Sequence, residues 1–415
     1  MIRPLNIFIA HASDLLTDCE AHGDGLVADY FIRNLMARGH TLHVAVNKCV
    51  LREKFAENVK LHFVDTGVNQ ESALSRLRFM IGMRSTFTKL SRECRFDVIH
   101  QLNPVVTGLS LALWRVDVPI VLGPHVPAWP RIDARGEPEK SSAKDRLRAR
   151  LKMEIWQLQH RIASGIIVST PAALEKMREP SAFEAKTHVI PIGINTAAFT
   201  PSPLPDTNSI LLINPSRHKG VFVLLAAFRS VLRELPDSKL ILAGTSPELD
   251  KVKEVASQLE ILPSIIFRGA YKRDEVPSIM RECTVFCVPS FGEPFGQVTL
   301  EAMACGRPVV GTDAGGSKYL INEQGGRKVP VGDADALARS LIEVLQNPVL
   351  ARAMGAHNRH VAETEYAWPA VIAKVERTYS AAIDAKRMRR FSASTDPAAA
   401  VAQPSLSDSG ARRGL

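Results

Sequence analysis

Two glutamates, Glu293 and Glu301, enclose seven residues within CVPSFGEPFGQVTLEAMACGRPVVGTDAGG, the stretch at 287–316. Glu293 follows an apolar run typical of a buried strand, and Glu301 lies in a helical pattern that begins near Gly296. A carboxylate accepts hydrogen bonds from two neighbouring hydroxyls at once, as in a ribose or a hexose. Gly296 leaves the first N–H groups of the helix open toward an anion. The segment predicts a site for a phosphorylated sugar rather than two solvated surface glutamates.

A second glycine-rich segment, HGDGLVA at 22–28, contains the G-x-G-x-x-A spacing of dinucleotide-binding loops. That fingerprint follows a strand directly, whereas twelve residues separate Ala10 from Gly23. The next strand candidate also ends without the acidic residue that binds a ribose. Gly23 and Gly25 still let backbone N–H groups approach an anion or a sugar hydroxyl ahead of a helix expected from Leu26. A dinucleotide-dependent oxidoreductase stays an alternative.

The elements that must position these residues form an alternating series. Short β-branched apolar runs alternate with longer amphipathic stretches, which is the pattern of parallel sheets covered by helices. Strand candidates of the first half are 5–10, 41–46, 61–64, 97–101, 119–123, 165–169 and 187–190. A second series follows as SILLIN, SKLILAG, SIIFRG, TVFCVPS and PVVGT. The fold class is therefore α/β with two Rossmann-like domains, whose ligands bind beyond the carboxyl ends of the strands.

The domain boundaries follow from the same pattern. Residues 1–190 form the first domain, and 191–206, with four prolines and little periodicity, form a linker. Residues 207–366 form the second domain, and 367–385 a C-terminal helix. Residues 386–415 have almost no core-forming side chains and are predicted to be disordered.

Composition limits the class of protein. The chain has 415 residues, 46% apolar and 23% charged, which is ordinary for a globular protein too long for one core. Its apolar runs are shorter than the ~18–20 residues of a membrane span, and the run from Leu5 to Ala10 is too short for a signal peptide. The six cysteines are scattered without a C-x-x-C pattern, so we expect free thiols in a reducing cytoplasm. A net charge of +9 favours anionic partners.

Several segments together resemble a known family. Glu293 and Glu301 match the E-x7-E motif of family 4 of the retaining glycosyltransferases, enzymes with the GT-B fold. FDVIH at 96–100, VIPIGINTAAFTP at 189–201 and Trp368 are similar to other family segments, and the resemblance covers roughly residues 5–385. Tyr319 departs from the family, which usually has a glutamate there.

The resemblance implies a fold and an activity. The two Rossmann-like domains would face each other, with the acceptor on the first and the donor on the second, and the C-terminal helix would cross back onto the first. The activity would be transfer of a hexose, with retention, from a nucleotide diphosphate sugar such as a UDP- or GDP-hexose. The acceptor would be a sugar or a lipid-linked molecule in polysaccharide or glycolipid assembly.

The resemblance also implies site residues. Glu301 would bind the ribose, Lys219 and Arg217 the diphosphate, and Glu293 the hydroxyls of the transferred sugar. His125, just past an apolar strand, would lie near the C6 hydroxyl of that sugar. The remaining donor-side residues are Phe295, Gly296, Gly244, Gly315 and Gly316, while Gly23 and Gly25 would lie on the acceptor side.

We expect neither a metal nor a cofactor. Two cations and the helix start at Gly296 are placed to stabilise charge that grows on the departing diphosphate. Asp333 and Asp335 stand at a helix start, where they are expected to cap it. A catalytically inactive nucleotide-sugar-binding module is the alternative from a different class of protein.

The segment KDRLRARLKMEIWQLQHR at 144–161 has six Lys or Arg residues against two acidic ones. An apolar stripe at helical spacing runs along it: Leu147, Leu151, Ile155, Leu158 and Ile162. One interpretation is a surface helix packed by this stripe. The other is a basic face on anionic lipid, with the protein peripheral on the inner face of a membrane. Without interleaved aromatic residues or a recognised motif, nucleic acid is not expected as a partner.

Overall fold

The computed structural model describes residues 3–20, 23–66, 72–102, 105–125 and 142–394. The described chain folds into two α/β domains, each built on a parallel sheet. This architecture confirms the fold class predicted from the alternating pattern.

The strands of the first domain are mostly short, buried apolar runs, as expected for a sheet covered on both faces. They are β1 (Asn6–His11), β2 (Leu16–Thr17), β3 (Thr41–Val46), β4 (Cys49–Val50), β5 (Val59–Phe63), β6 (Val98–Gln101), β7 (Ile120–His125), β8 (Gly165–Val168) and β9 (Thr187–Val189). Its helices are α1 (Gly23–Ala37), α2 (Ala73–Leu90), α3 (Ala143–Ile162) and α4 (Pro171–Glu175), with a 3-10 helix at Leu109–Leu113. The seven-stranded sheet has the order β5-β3-β1-β6-β7-β8-β9, and β2 pairs with β4 separately.

The second domain repeats this plan. Its strands are β10 (Ser209–Ile213), β11 (Lys239–Ala243), β12 (Ile265–Gly269), β13 (Val285–Val288), β14 (Val309–Thr312) and β15 (Gly326–Val329). Its helices are α5 (Val221–Glu234), α6 (Leu249–Gln258), α7 (Val276–Arg281), α8 (Gln297–Ala304), α9 (Ser317–Leu320), α10 (Ala334–Gln346) and α11 (Pro348–Thr364). The sheet order is β12-β11-β10-β13-β14-β15, of which β15 was not expected from the sequence.

Both sheets reverse their strand order at one point. The reversal lies between β1 and β6 in the first sheet and between β10 and β13 in the second. Loops that leave the carboxyl ends of such strands diverge and open a crevice for ligands. The loops after β10 and β13 carry Lys219 and Glu293, so the topology places both at one crevice.

The linker and the last helix, α12 (Trp368–Ser394), join the domains. Ile194 of the linker pairs with Ala367 just before α12. Trp368 packs on α1 of the first domain, with its ring 5.0 Å from that of Phe31. Further along α12, Glu376 contacts Arg38 at 2.6 Å. The helix therefore crosses back onto the first domain, as the family resemblance implied.

Helix α12 is longer than the sequence indicated. It continues through residues 386–394. The prediction that the disordered tail starts at residue 386 is therefore wrong for these residues. The other residues assigned to that tail, 395–415, lie outside the described part of the chain.

The two domains meet across a cleft lined by the carboxyl edge of the first sheet. The hydroxyl of Thr170, just after β8, donates to the carbonyl of Pro294 in the second domain at 3.4 Å. The hydroxyl of Tyr319 on α9 donates to Glu175 of α4 at 2.5 Å. Tyr319, the departure from the family pattern, thus contributes a contact between the domains.

Candidate active site

Lys219 and Glu293 meet at the crevice of the second sheet. The Lys219 Nζ lies 2.5 Å from Glu293 Oε1, and the Glu293 side chain is largely buried. Their loops also pack on each other, since the N–H of Phe291 donates to the carbonyl of His218 at 3.0 Å. Gly220, at φ +74°, leaves room for the Pro289 carbonyl, which a Cβ at that position would meet at 1.9 Å. The fold thus brings together the cation and the carboxylate that were expected to contact the diphosphate and the sugar.

The loop of Glu293 is fixed by the Gly315–Gly316 turn. The N–H of Gly316 donates to the carbonyl of Glu293 at 2.6 Å. A Cβ at Gly316 would meet the Phe295 backbone at 2.4 Å, so only glycine allows this approach. The ring of Phe295 is buried and belongs to the core. These glycines and Phe295 therefore hold the loop that carries Glu293 in its conformation.

Helix α8 starts directly after this loop. Gly296 caps it with φ +97°, and a Cβ at this position would meet Ser317 Oγ at 2.8 Å. Within the described residues, four buried side-chain oxygens around this helix start have no hydrogen-bond partner: Ser290 Oγ, Gln297 Oε1, Thr299 Oγ1 and Ser317 Oγ. Buried polar atoms are normally paired. Together with the open N–H groups of α8, the three hydroxyls can donate to an anionic ligand, and the Gln297 amide oxygen can accept from a ligand hydroxyl.

Glu301 lies one turn further along α8 and is almost completely buried. Its Oε1 is 2.5 Å from Arg273 Nη2, on the 3-10 turn that follows β12. Burial raises the pKa of the Glu301 carboxyl, and the Arg273 charge opposes that rise. The contact of Glu301 with a ribose stays a prediction, and the structure adds Arg273 as its protein partner.

Arg217 follows β10, two residues before Lys219. Its Nε lies 3.1 Å from Glu248 Oε1, and its guanidinium stacks on the Phe222 ring at 4.7 Å. The backbone N–H of Arg217 also donates to Glu248 at 2.6 Å. The Nε of Arg217 is thus engaged by Glu248, and its contact with a diphosphate stays a prediction.

Gly244 ends the neighbouring strand, β11. It has φ +107°, and a Cβ there would meet Asn214 Oδ1 at 2.5 Å. Gly244 therefore keeps the edge of the crevice beside β10 free of side chain.

His125 ends β7, and its side chain lies beneath α3. Its ring centroid is 4.0 Å from that of Trp156 and 6.3 Å from that of His160. The three rings line a cavity of about 330 Å³ together with Lys152 and Met177. Burial lowers the pKa of His125 to about 3, and the charges of His160 and Lys152 add to this. The imidazole is therefore neutral at physiological pH.

The backbone of His125 lies at the edge that faces the second domain. Its carbonyl accepts from the Ser169 hydroxyl at 3.3 Å, and the next residue, Thr170, reaches Pro294. Within the described residues, its ring contacts α3 rather than Lys219 or Glu293. Residues 126–141, which follow His125, lie outside the described part of the chain. The role of His125 beside the transferred sugar stays a prediction.

Gly23 and Gly25 lie inside α1, which begins at Gly23 rather than at Leu26. The expected glycine loop ahead of the helix is therefore wrong, and both residues belong to its first turn. A Cβ at Gly23 would have nothing within 4 Å, so this helix start has open space beside it. Its position after β1 and β2 keeps it at the carboxyl edge of the first sheet.

Two residues of the crevice were missed from the sequence, Arg273 and Glu248. Each lies in a polar loop segment with no motif and becomes informative only through its tertiary partner.

Among the described residues, no group of three or more His, Cys, Asp or Glu side chains is arranged to hold a metal ion. In the same part of the chain, no helix is long and apolar enough to cross a membrane.

The fold is shared with solved glycosyltransferase structures. A sucrose-phosphate synthase from Thermosynechococcus elongatus superposes with a TM-score of 0.64 at 19% identity, over 94% of this chain and all of that one (100%). HepE of Anabaena, in complex with UDP and glucose, superposes with a TM-score of 0.63 at 18% identity, over 91% of this chain and 99% of that one. At such identities the likeness shows the fold, which is the GT-B architecture of two facing Rossmann-like domains.

Sequence comparison gives the family. Residues 23–198 match the profile of Glycosyltransferase Family 4, and residues 202–361 match that of Glycosyl transferases group 1. A phosphatidyl-myo-inositol mannosyltransferase of Mycolicibacterium smegmatis is 30% identical over 317 residues, 74% of this chain and 77% of the relative. An MMP alpha-(1->4)-mannosyltransferase of Mycolicibacterium hassiacum is 27% identical over 313 residues, 72% and 74% of the two chains. The chain belongs to glycosyltransferase family 4, which replaces the oxidoreductase alternative.

Proposed function

We propose that this protein transfers a hexose from a nucleotide diphosphate sugar to an acceptor hydroxyl, with retention at the anomeric carbon. One observation carries the proposal: Lys219 and Glu293 meet at 2.5 Å across the crevice of the second sheet, beside the start of α8. The mannosyltransferase relatives support a hexose as the transferred group.

The proposed reaction depends on Lys219, Glu293 and the first N–H groups of α8. When the bond between C1 of the sugar and the diphosphate oxygen breaks, negative charge moves onto the diphosphate. Lys219 and the N–H groups of α8 stabilise that charge as it grows. Glu293 accepts hydrogen bonds from hydroxyls of the sugar, which become better donors as positive charge develops on the ring. Since Lys219 already pairs with Glu293, the fold orients both groups before the donor binds.

Retention follows if the acceptor attacks the face from which the diphosphate leaves. The acceptor oxygen forms the new bond to C1, and its proton passes to the departing diphosphate oxygen. No protein nucleophile takes part in this route. The pairing of Glu293 with Lys219 supports a role for this carboxylate in orienting the sugar rather than in attacking it.

The test is transfer from defined donors. The purified protein is incubated with UDP-glucose or GDP-mannose and a lipid extract or sugar acceptor, and release of UDP or GDP is measured with the anomeric configuration of the product by NMR. Both donors are included because HepE binds UDP and one relative is named as GDP-mannose-dependent. We expect one donor to support transfer with retention. An inverted product would contradict the mechanism, and binding without transfer or hydrolysis would favour the inactive binding module.

We also propose that transfer needs no metal. Lys219 and the α8 start supply the positive field that a divalent cation supplies in other transferases. Turnover in EDTA is therefore expected to equal turnover in magnesium. A loss in EDTA that magnesium or manganese restores would contradict this.

For the acceptor, we propose a lipid-linked molecule reached from an anionic membrane surface. Leu147, Leu151 and Leu158 of α3 share one face by their spacing and are each 48–69% exposed, so the expected packing of the apolar stripe is wrong for these three. Exposed basic residues flank this row, among them Arg148 and Arg150. An outward apolar row with basic flanks is typical of helices that lie in a lipid interface.

A second exposed row lies on the same side of the first sheet. Leu74, Leu77 and Ile81 of α2 are each 50–63% exposed, and Trp114 between the two helices is 60% exposed. The connections β5–β6, β6–β7 and β7–β8 all step in one direction along the sheet. Right-handed crossovers therefore place α2, the 3-10 helix and α3 on one face. Two apolar rows on one basic face support a bilayer as the occupant, and a peripheral location on the cytoplasmic side where the free thiols stay reduced.

Vesicle co-sedimentation tests the membrane proposal. We expect binding to phosphatidylserine vesicles that falls with added salt, since each basic residue adds only ~1 kcal/mol at such a surface. Leu151→Asp and Ile81→Asp should each weaken it. Val349→Asp, at an equally exposed apolar residue of the second domain, is the matched control. Equal binding to neutral and anionic vesicles, or equal loss in the control, would contradict the proposal.

A further inference from the structure

The Arg273–Glu301 pair lies where both domains, the linker and α12 converge. Arg273 belongs to the 3-10 turn after β12 and contacts Glu301 of α8 at 2.5 Å. Its guanidinium carbon lies 5.3 Å from the centroid of the Phe199 ring in the linker. Tyr30 of the first domain interacts electrostatically with both members of the pair, and its ring stacks on Trp368 at 5.7 Å. The ion pair of Glu301 and Arg273 therefore lies among aromatic side chains of the first domain, the linker and α12.

Burial and the Arg273 partner act on the pKa of the Glu301 carboxyl in opposite directions. Burial favours the neutral acid and raises the pKa of Glu301, whereas the Arg273 charge at 2.5 Å favours the anion. The interaction with Glu301 in turn stabilises the charged form of Arg273, because it raises the pKa of the guanidinium although burial lowers it. The titratable or charged side chains around this carboxylate and its helix are Arg273, Tyr271, Tyr30, Cys305, Arg281 and Arg359. Among these, the structure gives Arg273 alone a direct contact with the Glu301 carboxylate.

We propose that Arg273 is a positioning residue of the donor site, which holds Oε1 of Glu301 so that an ionised carboxylate presents Oε2 to the ribose. The inference rests on the proposed function, because it needs a donor whose ribose binds at Glu301. It assigns Arg273 a role through Glu301, with no contact to the reacting atoms. The other explanation is an ion pair that simply ties the 3-10 turn to α8.

The two explanations differ in how donor binding depends on pH. A neutral Glu301 acid loses acceptor capacity for ribose hydroxyls, so affinity falls as pH drops through its pKa. Without Arg273, that pKa rises further, and the fall in affinity moves to higher pH. An opposite charge at this distance shifts a carboxyl pKa by ~1–3 units, so the midpoint should move up by about one unit or more. A structural tie would lower stability and leave the midpoint unchanged.

The experiment is calorimetric titration of the full-length protein between pH 5 and 9. The probes are UDP-glucose and GDP-mannose, whose diphosphate does not titrate in this range, and the one that binds is used. Variants are Arg273→Gln, Arg273→Lys, and Arg268→Gln as the matched control, which breaks the exposed Arg268–Glu282 pair of the same domain. Thermal melts at each pH show that each variant is folded.

We expect Arg273→Gln to move the acid limb of donor affinity to higher pH, Arg273→Lys to lie between it and the parent, and Arg268→Gln to match the parent. An unchanged midpoint in Arg273→Gln overturns the inference. Should that variant not fold, Arg273→Lys decides in the same way. If the parent binds neither nucleotide sugar, the proposed function itself fails, which is a different result from an unshifted midpoint.

Discussion

At the scale of single residues, substitutions of Glu293 and Glu301 are expected to change different kinetic constants. Glu301 is assigned to the ribose, which donor and free nucleotide share, so Glu301→Gln should raise KM and weaken inhibition by the free nucleotide. Glu293 is assigned to the transferred sugar, which the free nucleotide lacks. Glu293→Gln should therefore raise the activation free energy by ~2–4 kcal/mol and so lower kcat, as removal of other preorganised electrostatic contacts does. Its affinity for the free nucleotide should stay near the parent value.

Steady-state kinetics beside titration of free nucleotide measure both effects. If Glu293→Gln weakens the free nucleotide as much as Glu301→Gln does, the division of roles is contradicted. Any substitution of Glu293 also removes the ion-pair partner of Lys219. The melting temperatures of the variant and the parent are therefore compared first.

Glu293, Glu301 and their glycines were predictable because their spacing lies within one short segment. Lys219 was predictable through the family resemblance, and its meeting with Glu293 follows from the sheet order. The partners of Glu301 and Arg217 were not predictable. Arg273 and Glu248 lie far from them along the chain and pair with them only through the fold.

At the scale of elements, α3 shows what periodicity leaves open. The apolar stripe at helical spacing was visible in the sequence, but the side of the helix that faces the sheet was not. The structure turns Trp156 and His160 toward the sheet and Leu151 outward. Orientation depends on which neighbours a helix meets, and local spacing does not contain that information.

The crossing helix α12 depends on a buried carboxylate. Glu376 is 4% exposed and contacts Arg38 at 2.6 Å and His40 at 3.0 Å. Glu376→Gln leaves the Arg38 charge partly buried without its counter-ion, so we expect a loss of about 2 kcal/mol of unfolding free energy. Chemical denaturation measures it. Glu254→Gln, in the exposed Lys251 pair, should change stability by less than about 1 kcal/mol, and an equal loss there would contradict this account.

The first sheet should lose stability in acid because of its buried histidines. Burial lowers the pKa of His125 to about 3 and those of His43, His100 and His160 to about 4. Below the unfolded value near 6.5 the unfolded chain binds more protons than the folded one, so stability present above pH ~6.5 is lost as pH falls. Each histidine contributes up to about 1.4 kcal/mol per pH unit in that window.

Thermal melts between pH 7.5 and 4.5 measure this dependence. His160→Leu removes one of these groups and should flatten the fall in melting temperature. His360→Leu, at an exposed histidine, is the control and should follow the parent curve. A melting temperature that rises on acidification would contradict the sign.

At the scale of the whole molecule, two domains, each built on a parallel sheet, meet across a cleft. The alternating pattern made this architecture predictable, because each strand and its following helix are local units. The contacts that join the domains were not predictable. The Tyr319–Glu175 hydrogen bond, for example, links two surface residues whose meeting depends on the relative placement of both domains.

The most direct measurement is titration of UDP-glucose and GDP-mannose into the parent protein and into Lys219→Met. The account predicts that the parent binds one of them and that Lys219→Met binds it about 10–100-fold more weakly, since a hydrogen bond to a charged group contributes ~1.5–3 kcal/mol. Val349→Asp, at an exposed residue in the first turn of α11, should bind like the parent. Equal affinity of Lys219→Met and the parent would show that the donor does not bind where Lys219 and Glu293 meet.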